Sequence, residues 1–478
     1  MNCRLFRHIV AVFTLTLQFT KGAERPNILF ALADNWYYPH ASANGDPAVH
    51  TPVFDRIAKE GTRFTNAFCP VPSCSPTRSC LLTGRVAHQL EDAASLWSLF
   101  PEKLHVFTDD LAESGYHVGY MGKGWSPGNF KDYGRTQNPA GPEFKTFTEF
   151  LDSPDARGKP FFFWLGDTHT ALNKWIPGSG RAAGIDSAKV VVPASLPDVP
   201  EVREEITDYL ASVQQIDTSV GDAIADLERR GMLDNTIVIY TSDNGWQMPR
   251  GLANCYDTGT HIPMAIRWPG HTPTGSVEDA FISLTDCAPT FLELAGLPVP
   301  AVMTGRSFRD ILEGQRTGPP RDHVFLERER HANVRRGDLS YPIRAIRTAD
   351  FLYLRNLRPD RWPAGDPELY FAVGDFGDID GSRTKQYMRD HKDDPTVRAL
   401  YITSFEKRPS EEFYDLTNDP EQMHNLASDP TYAETRKRLG AQLDQWMKDT
   451  NDPRVDPNYD AWDRYKYFGG KARAKSTK

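Results

Sequence analysis

The chain has 478 residues, 39% hydrophobic and 25% charged, which is enough for one large domain and a smaller one with real cores. Its formal net charge of -9 excludes a general nucleic-acid binder, which needs a basic footprint. At the start, Arg4, Arg7 and His8 precede a mostly apolar run over residues 9–19, followed by small Gly22 and Ala23. This predicts a signal peptide over residues 1–23 and a secreted or periplasmic protein. The run falls short of the roughly 20 apolar residues that span a bilayer, so no stable membrane insertion is expected. Cys3 leaves with the signal, and Cys69, Cys74, Cys80, Cys255 and Cys287 remain. An odd number in an exported chain points to one cysteine with a separate task.

Apolar runs then alternate with helical patterns through the first two-thirds, which predicts an α/β fold with many parallel strands. Residues 27–33 form a buried-strand run that stops at Asp34. Thr51 and Pro52 open a helix, with Thr51 as its N-cap, that closes at Gly61. Residues 160–165 are another strand. Leu210, Val213, Ile216, Val220, Ile224 and Leu227 recur at spacings of three and four and define one long amphipathic helix ended by Gly231. The strand over residues 236–240 runs into Ser242, Asp243, Asn244 and Gly245. Two apolar strands thus end in acids, Asp34 and Asp243, and sites of parallel α/β sheets form at such carboxyl ends. After about residue 320 the texture changes to Arg, Pro and short strand-like pieces, then a helix near residues 431–448. The predicted organisation is a main domain over 24–320, a smaller one over 321–465 and a disordered basic tail over 466–478.

The strongest motif is Cys74, Ser75, Pro76, Thr77, Arg78, continued by Thr83, Gly84 and Arg85. It resembles the signature of the sulfatase family, Cys-x-Pro-Ser-Arg followed by Thr-Gly, with Thr77 where Ser is more usual. The resemblance implies an alkaline phosphatase-like fold: a large mixed, mostly parallel sheet flanked by helices, and a small α+β domain with an antiparallel sheet. It also implies that a formylglycine-generating enzyme oxidises Cys74 to formylglycine (3-oxoalanine). The hydrate of that aldehyde has two geminal hydroxyls, one to attack sulfur and one to expel sulfate afterwards. Pro76 suits a first helical turn, whose N-terminus favours a developing anion. Arg78, one turn on, balances the charge.

The same resemblance assigns the other roles. Asp34, Asn35, Asp243 and Asn244, with residue 74, match the ligands of one Ca²⁺, and oxygen donors suit that hard cation. Asn35 stands where a second Asp is usual, so the site loses one negative charge. Lys123 matches the sulfate-contacting Lys, and Trp125 occupies a position usually held by His. His169 is the candidate acid for the leaving group, with Asp167 beside it as orienter or as an acid itself. The sulfate-binding Lys expected near the second metal segment falls at Leu252, so Arg250 or His261 is the candidate replacement. Residues 412–426 resemble the closing motif of sulfatase small domains.

Residues 340–347, 250–256 and 446–455 look similar to heparan N-sulfatases, which implies a sulfated carbohydrate substrate carrying amino sugars. Arg328, Arg330, His331, Arg335 and Arg336 lie close in sequence. The cluster is either a sulfate- or carboxylate-binding set, with His331 and Arg335 as substrate contacts, or a solvated face. Two rival readings stand beside a sulfatase: a phosphodiesterase or phosphonate monoester hydrolase of the same superfamily, and a catalytically silent binder of sulfated glycans. The second draws on Asn35, Trp125 and Leu252.

Overall fold

The computed structural model of the chain describes residues 25–371 and 374–469, so the expected signal peptide lies outside the described residues. The main sheet has seven strands: β1 (Asn27–Ala33), β2 (Thr62–Phe64), β3 (His117–Gly122), β4 (Phe161–Asp167), β5 (Thr236–Ser242), β6 (Met264–Arg267) and β7 (Ser276–Glu278). Their order is β7-β2-β6-β5-β1-β4-β3. Strands β5, β1, β4 and β3 are parallel. Strand β6 runs antiparallel to both β5 and β2. The sheet is therefore mixed and mostly parallel, as expected. Every residue of β1, β4 and β5 is buried, which is why they read as continuous apolar runs rather than alternating ones.

Helices cover both faces. Helices α1 (Pro52–Glu60) and α2 (Cys74–Thr83) come first, and the long amphipathic helix is α3 (Pro200–Arg229), starting earlier than its apolar spacing indicated. Leu29, Phe163 and Val238 on one face meet Ile206, Tyr209 and Val213 of α3. On the other face, Ile28, Phe30 and Trp164 share a core with Leu81 and Leu82 of α2. Thr51 does not cap α1, because its hydroxyl is taken by Ser42. Asp217 of α3 instead accepts from the Val53 and Phe54 amides at 2.8 and 2.9 Å, satisfying two orphan donors from a distant element.

The second sheet is antiparallel, in the order β8 (His323–Arg328), β9 (Ile343–Thr348), β10 (Phe351–Asn356), β11 (Glu411–Asp415). Helices α4 (Arg383–Asp390) and α5 (Pro395–Phe405) do not belong to it by packing. Their Met388, Val397 and Phe405 join the core that holds Leu29 and Tyr209. Helix α6 (Ala433–Asp449) covers the small sheet through Leu439, Leu443 and Met447. Residues 466–469, assigned above to a tail, turn back onto the main body, where the Phe468 amide donates to the Trp97 carbonyl at 2.7 Å.

A buried ionic network joins the parts. Arg344, fully buried, donates to Asp452 at 2.6 Å and to Glu329 at 2.8 Å, with Glu327 3.7 Å away. Glu327 in turn accepts from the Ala87 amide at 2.6 Å and from His88 Nδ1 at 2.8 Å, just beyond α2. No helix among the described residues is long and apolar enough to cross a membrane. The five cysteines among them are free and buried.

Candidate active site

Strand register brings the distant acids together. Ala33 of β1 pairs with Ser242 of β5 and with Asp167 of β4, so the residues that follow emerge side by side at one carboxyl edge. Lys123 arrives from β3, next in line, where Gly122 pairs with Gly166. At the ends of these two parallel strands the backbones lie too close for side chains. A Cβ on Gly166 would lie 2.1 Å from the Lys123 carbonyl oxygen, and one on Gly122, at φ 71°, would lie 2.2 Å from that of Gly166. Glycine at both positions therefore lets Lys123 reach the site.

Helix α2 aims its N-terminus at this edge, and all ten of its residues are buried. Cys74 Sγ lies 3.5 Å from Asp34 Oδ1 and 3.9 Å from Asn35 Oδ1, and one ligand atom each of Asp34, Cys74 and Asp243 fit within 4.8 Å of one another. Burial pushes the Cys74 thiol well up and Asp34 adds to it, so the unmodified side chain is a protonated thiol at neutral pH.

Two cations face the acids. Arg78 Nε donates to Asp243 Oδ2 at 2.9 Å, and its Nη1 donates to the Lys123 and Gly124 carbonyls at 2.6 and 2.8 Å. Its Nη2 is buried without a hydrogen-bond partner among the described residues and lies 3.5 Å from Asp34. Lys123 Nζ donates to Asp34 Oδ1 at 2.5 Å. Burial raises the Asp34 carboxyl, but Lys123 and Arg78 outweigh it and hold it below the usual carboxylate range. Asp243 goes the other way, because burial and the neighbouring Asp34 charge push its carboxyl up.

The donor set suits a hard divalent cation. Asp34 and Asp243 offer carboxylates, and Asn35 turns its Oδ1 toward Cys74 from a left-handed backbone at φ 68°. Asn244 Oδ1 is buried with no donor among the described residues, while its Nδ2 donates to Asn35 Oδ1 at 2.6 Å. A buried carbonyl oxygen left unsatisfied beside two carboxylates is what a cation would complete.

His169 stands at the rim. Its Nδ1 donates to Asp167 at 2.7 Å, and that bond, opposed by partial burial, raises its pKa. The Thr170 hydroxyl donates to the Asp34 carbonyl. His331 lies next to the start of α2, where its Nδ1 pairs with Ser73 Oγ, the neighbour of Cys74, at 2.8 Å.

Other expected contacts are engaged elsewhere. Arg250 does not replace a cation at Leu252. Its guanidinium donates to the Gln422 and Thr403 carbonyls at 2.6 and 3.3 Å and lies 3.9 Å from the Tyr256 ring centroid. His261 is stacked between Tyr38 and Phe68, with ring centroids 3.8 and 4.6 Å away, and burial pushes its pKa down to about 4. Arg335 shares Asp378 with Arg328, both at 2.5 Å, so this part of the arginine cluster is a buried girder and not a solvated face. Trp125 turns into the core, with its indole donating to Ser79 Oγ at 2.8 Å. The residues that sequence reasoning missed are Gln247 and Asp380, which touch Asn35 directly and at one remove. Gln247 lies close behind Asn244 and was open to suspicion, whereas nothing in the sequence marks Asp380.

A mixed α/β sheet with acids, amides, two cations and a helix-borne cysteine at its carboxyl edge is a frame suited to a hydrolase acting on tetrahedral oxyanion esters. The chain belongs to the sulfatase family. The family model described as Sulfatase matches residues 26–297, and that described as N-sulphoglucosamine sulphohydrolase, C-terminal, matches residues 250–362. The human protein named N-sulphoglucosamine sulphohydrolase is 29% identical over 90% of this chain and 91% of its own. An ulvan-active sulfatase of Formosa agariphila is 28% identical over 90% of this chain and 81% of its own. A solved structure in complex with its substrate D-glucosamine-2-N,6-O-disulfate shares the fold. Its TM-score is 0.64 at 21% identity, covering 91% of this chain and 99% of that one.

Proposed function

We propose that this sulfatase removes sulfate from sulfated amino sugars of glycosaminoglycan-type glycans, as ester or sulfamate, with residue 74 as formylglycine. The convergence of Asp34, Asn35, Cys74 and Asp243 at one sheet edge, beside the unsatisfied Asn244 Oδ1, carries the reading. These residues and Asn244 would hold one Ca²⁺, which supplies Lewis-acid stabilisation of the ionised hydrate and of sulfate oxygens when bound. Arg78 and Lys123 hold residue 74 and the sulfate oxygens through buried positive charge. His169, with its proton kept by Asp167, protonates the leaving oxygen or nitrogen. His331 and Ser73 line the approach to residue 74. Maturation by a formylglycine-generating enzyme and export through residues 1–23 belong to the same reading. The named relatives are sulfatases, and no observation favours the phosphonate or silent-binder alternatives.

The test is sulfate release by protein co-expressed with a formylglycine-generating enzyme. A disaccharide ending in N-sulfoglucosamine is set against its O-sulfated isomers. Release favouring the N-sulfate is expected. Release from O-sulfated sugars alone would move the substrate, and release from none would remove the reading.

The Asp167–His169 pair also predicts a pH effect. Asp167 keeps His169 protonated to higher pH, so Asp167→Asn should shift the alkaline limb of the kcat profile to lower pH. An unmoved limb would mean that another group gives the proton.

A further inference from the structure

Asn35 is the one ligand position where this chain departs from the acidic pair usual in the family, and its surroundings are built for the amide. Asn35 is 1% exposed. Its Nδ2 donates to Gln247 Oε1 at 3.1 Å, so its Oδ1 is the end turned toward Cys74 and Asn244. Gln247 is itself held in one sense. Its Oε1 also accepts from the Leu172 amide at 2.6 Å, and its Nε2 donates to Asp380 at 2.5 Å. Asp380 sits on a loop pinned from two sides. Lys385 Nζ donates to the Asp375, Phe376 and Ile379 carbonyls at 2.9, 3.0 and 2.6 Å, and Arg328 and Arg335 grip Asp378.

The chemistry follows from donors and acceptors. Gln247 has one carbonyl and one amino end. A carboxylate at Asp380 takes the amino end, and the Leu172 amide fixes the carbonyl end. Only a donor at residue 35 fits what remains. An aspartate there would turn an oxygen onto Gln247 Oε1 at the 3.1 Å now spanned by a hydrogen bond. We propose that Asn35, Gln247 and Asp380 form a positioning relay that aims the Asn35 amide oxygen at the cation, with Asp380 restoring, two hydrogen bonds away, the charge missing at residue 35. Asn35 is then a constructed ligand and not a decayed one. The relay rests on the metal reading proposed above.

A double-mutant cycle read by calorimetry tests it, using the full chain with Cys74 unmodified and Ca²⁺ as the probe. Gln247→Met keeps the volume and removes both ends of the relay. It is expected to weaken Ca²⁺ binding about 10- to 100-fold, the size seen when groups that orient a metal ligand are lost. Asn35→Asp is expected to weaken binding in the native background and to tighten it in the Gln247→Met background. Asp380→Ala touches neither Asn35 nor the cation position. It is expected to give part of the Gln247→Met loss with the metal-free melting curve unchanged, which guards against a Gln247 variant that fails to fold. Equal effects of Asn35→Asp in both backgrounds, or Ca²⁺ affinity unmoved by Asp380→Ala, would overturn the relay alone. Native protein that binds no Ca²⁺ would overturn the relay and the metal reading together.

Discussion

Cys74→Ala is expected to abolish sulfate release, lowering kcat by at least about four orders of magnitude, as loss of a covalent nucleophile does elsewhere. The thiol itself is a poor nucleophile in this setting, since burial and Asp34 keep it protonated. On the formylglycine reading proposed above, activity depends on the oxidised side chain and on nothing that alanine can mimic. The cation position keeps its four oxygen donors from Asp34, Asn35, Asp243 and Asn244, so Ca²⁺ affinity should fall far less than kcat. Sulfate by ion chromatography, with the mass of the peptide containing residue 74, checks both. An alanine protein that keeps about 1% of native turnover would sink the nucleophile assignment.

Arg344→Met is expected to be the most damaging change outside the site. Arg344 is fully buried and holds Asp452, Glu329 and Glu327, so its loss leaves several carboxylates sharing Arg454 and His88. Breaking a buried network in this way costs about 3–5 kcal/mol, measured as a shift of the denaturant unfolding midpoint. The pH dependence gives a second check. Burial raises the Glu327 and Asp452 carboxyls, but their cations outweigh it and hold both below the usual range. In the native protein these acids add stability above the unfolded carboxylate pKa, and it is lost as pH falls through their folded values. The variant loses the Arg344 share of that contribution, which is the leading one for Asp452, so its deficit should be largest near pH 7 and shrink as the medium becomes acidic. A deficit that is flat with pH would show that packing, not charge, is the cause.

The parts of the molecule that could be read early share a property: local chemistry decides them. Asp34 and Asp243 end apolar runs, and parallel pairing of β1 with β5 makes neighbours of them without further information. Cys74 and Pro76 open a helix where the motif says they should. What could not be read depends on burial and on partners far away. Arg250, Arg335 and His261 look like free cations and donors in the sequence, yet carbonyls, Asp378 and aromatic faces occupy them. Trp125, where the family usually has His, gives no sign in the sequence that it packs into the core. Asp380 lies 133 residues from Gln247, and no pattern links the two. The core of residues 364–405 escaped for the same reason, since apolar residues do not say which sheet they will cover.

The enclosure of the stretch after α2 also sets a clock. The stretch that follows α2 is closed by the far end of the chain. His88 Nε2 pairs with Thr450 Oγ1 at 3.0 Å, and the Trp462 indole donates to the Glu91 carbonyl across 371 residues of sequence. A ribosome adding ~5–20 residues per second needs roughly 20–75 s to make that stretch. For that interval the cover over residues 87–94 does not exist. Residues 87–94 therefore reach their finished packing only after the far end of the chain has been made.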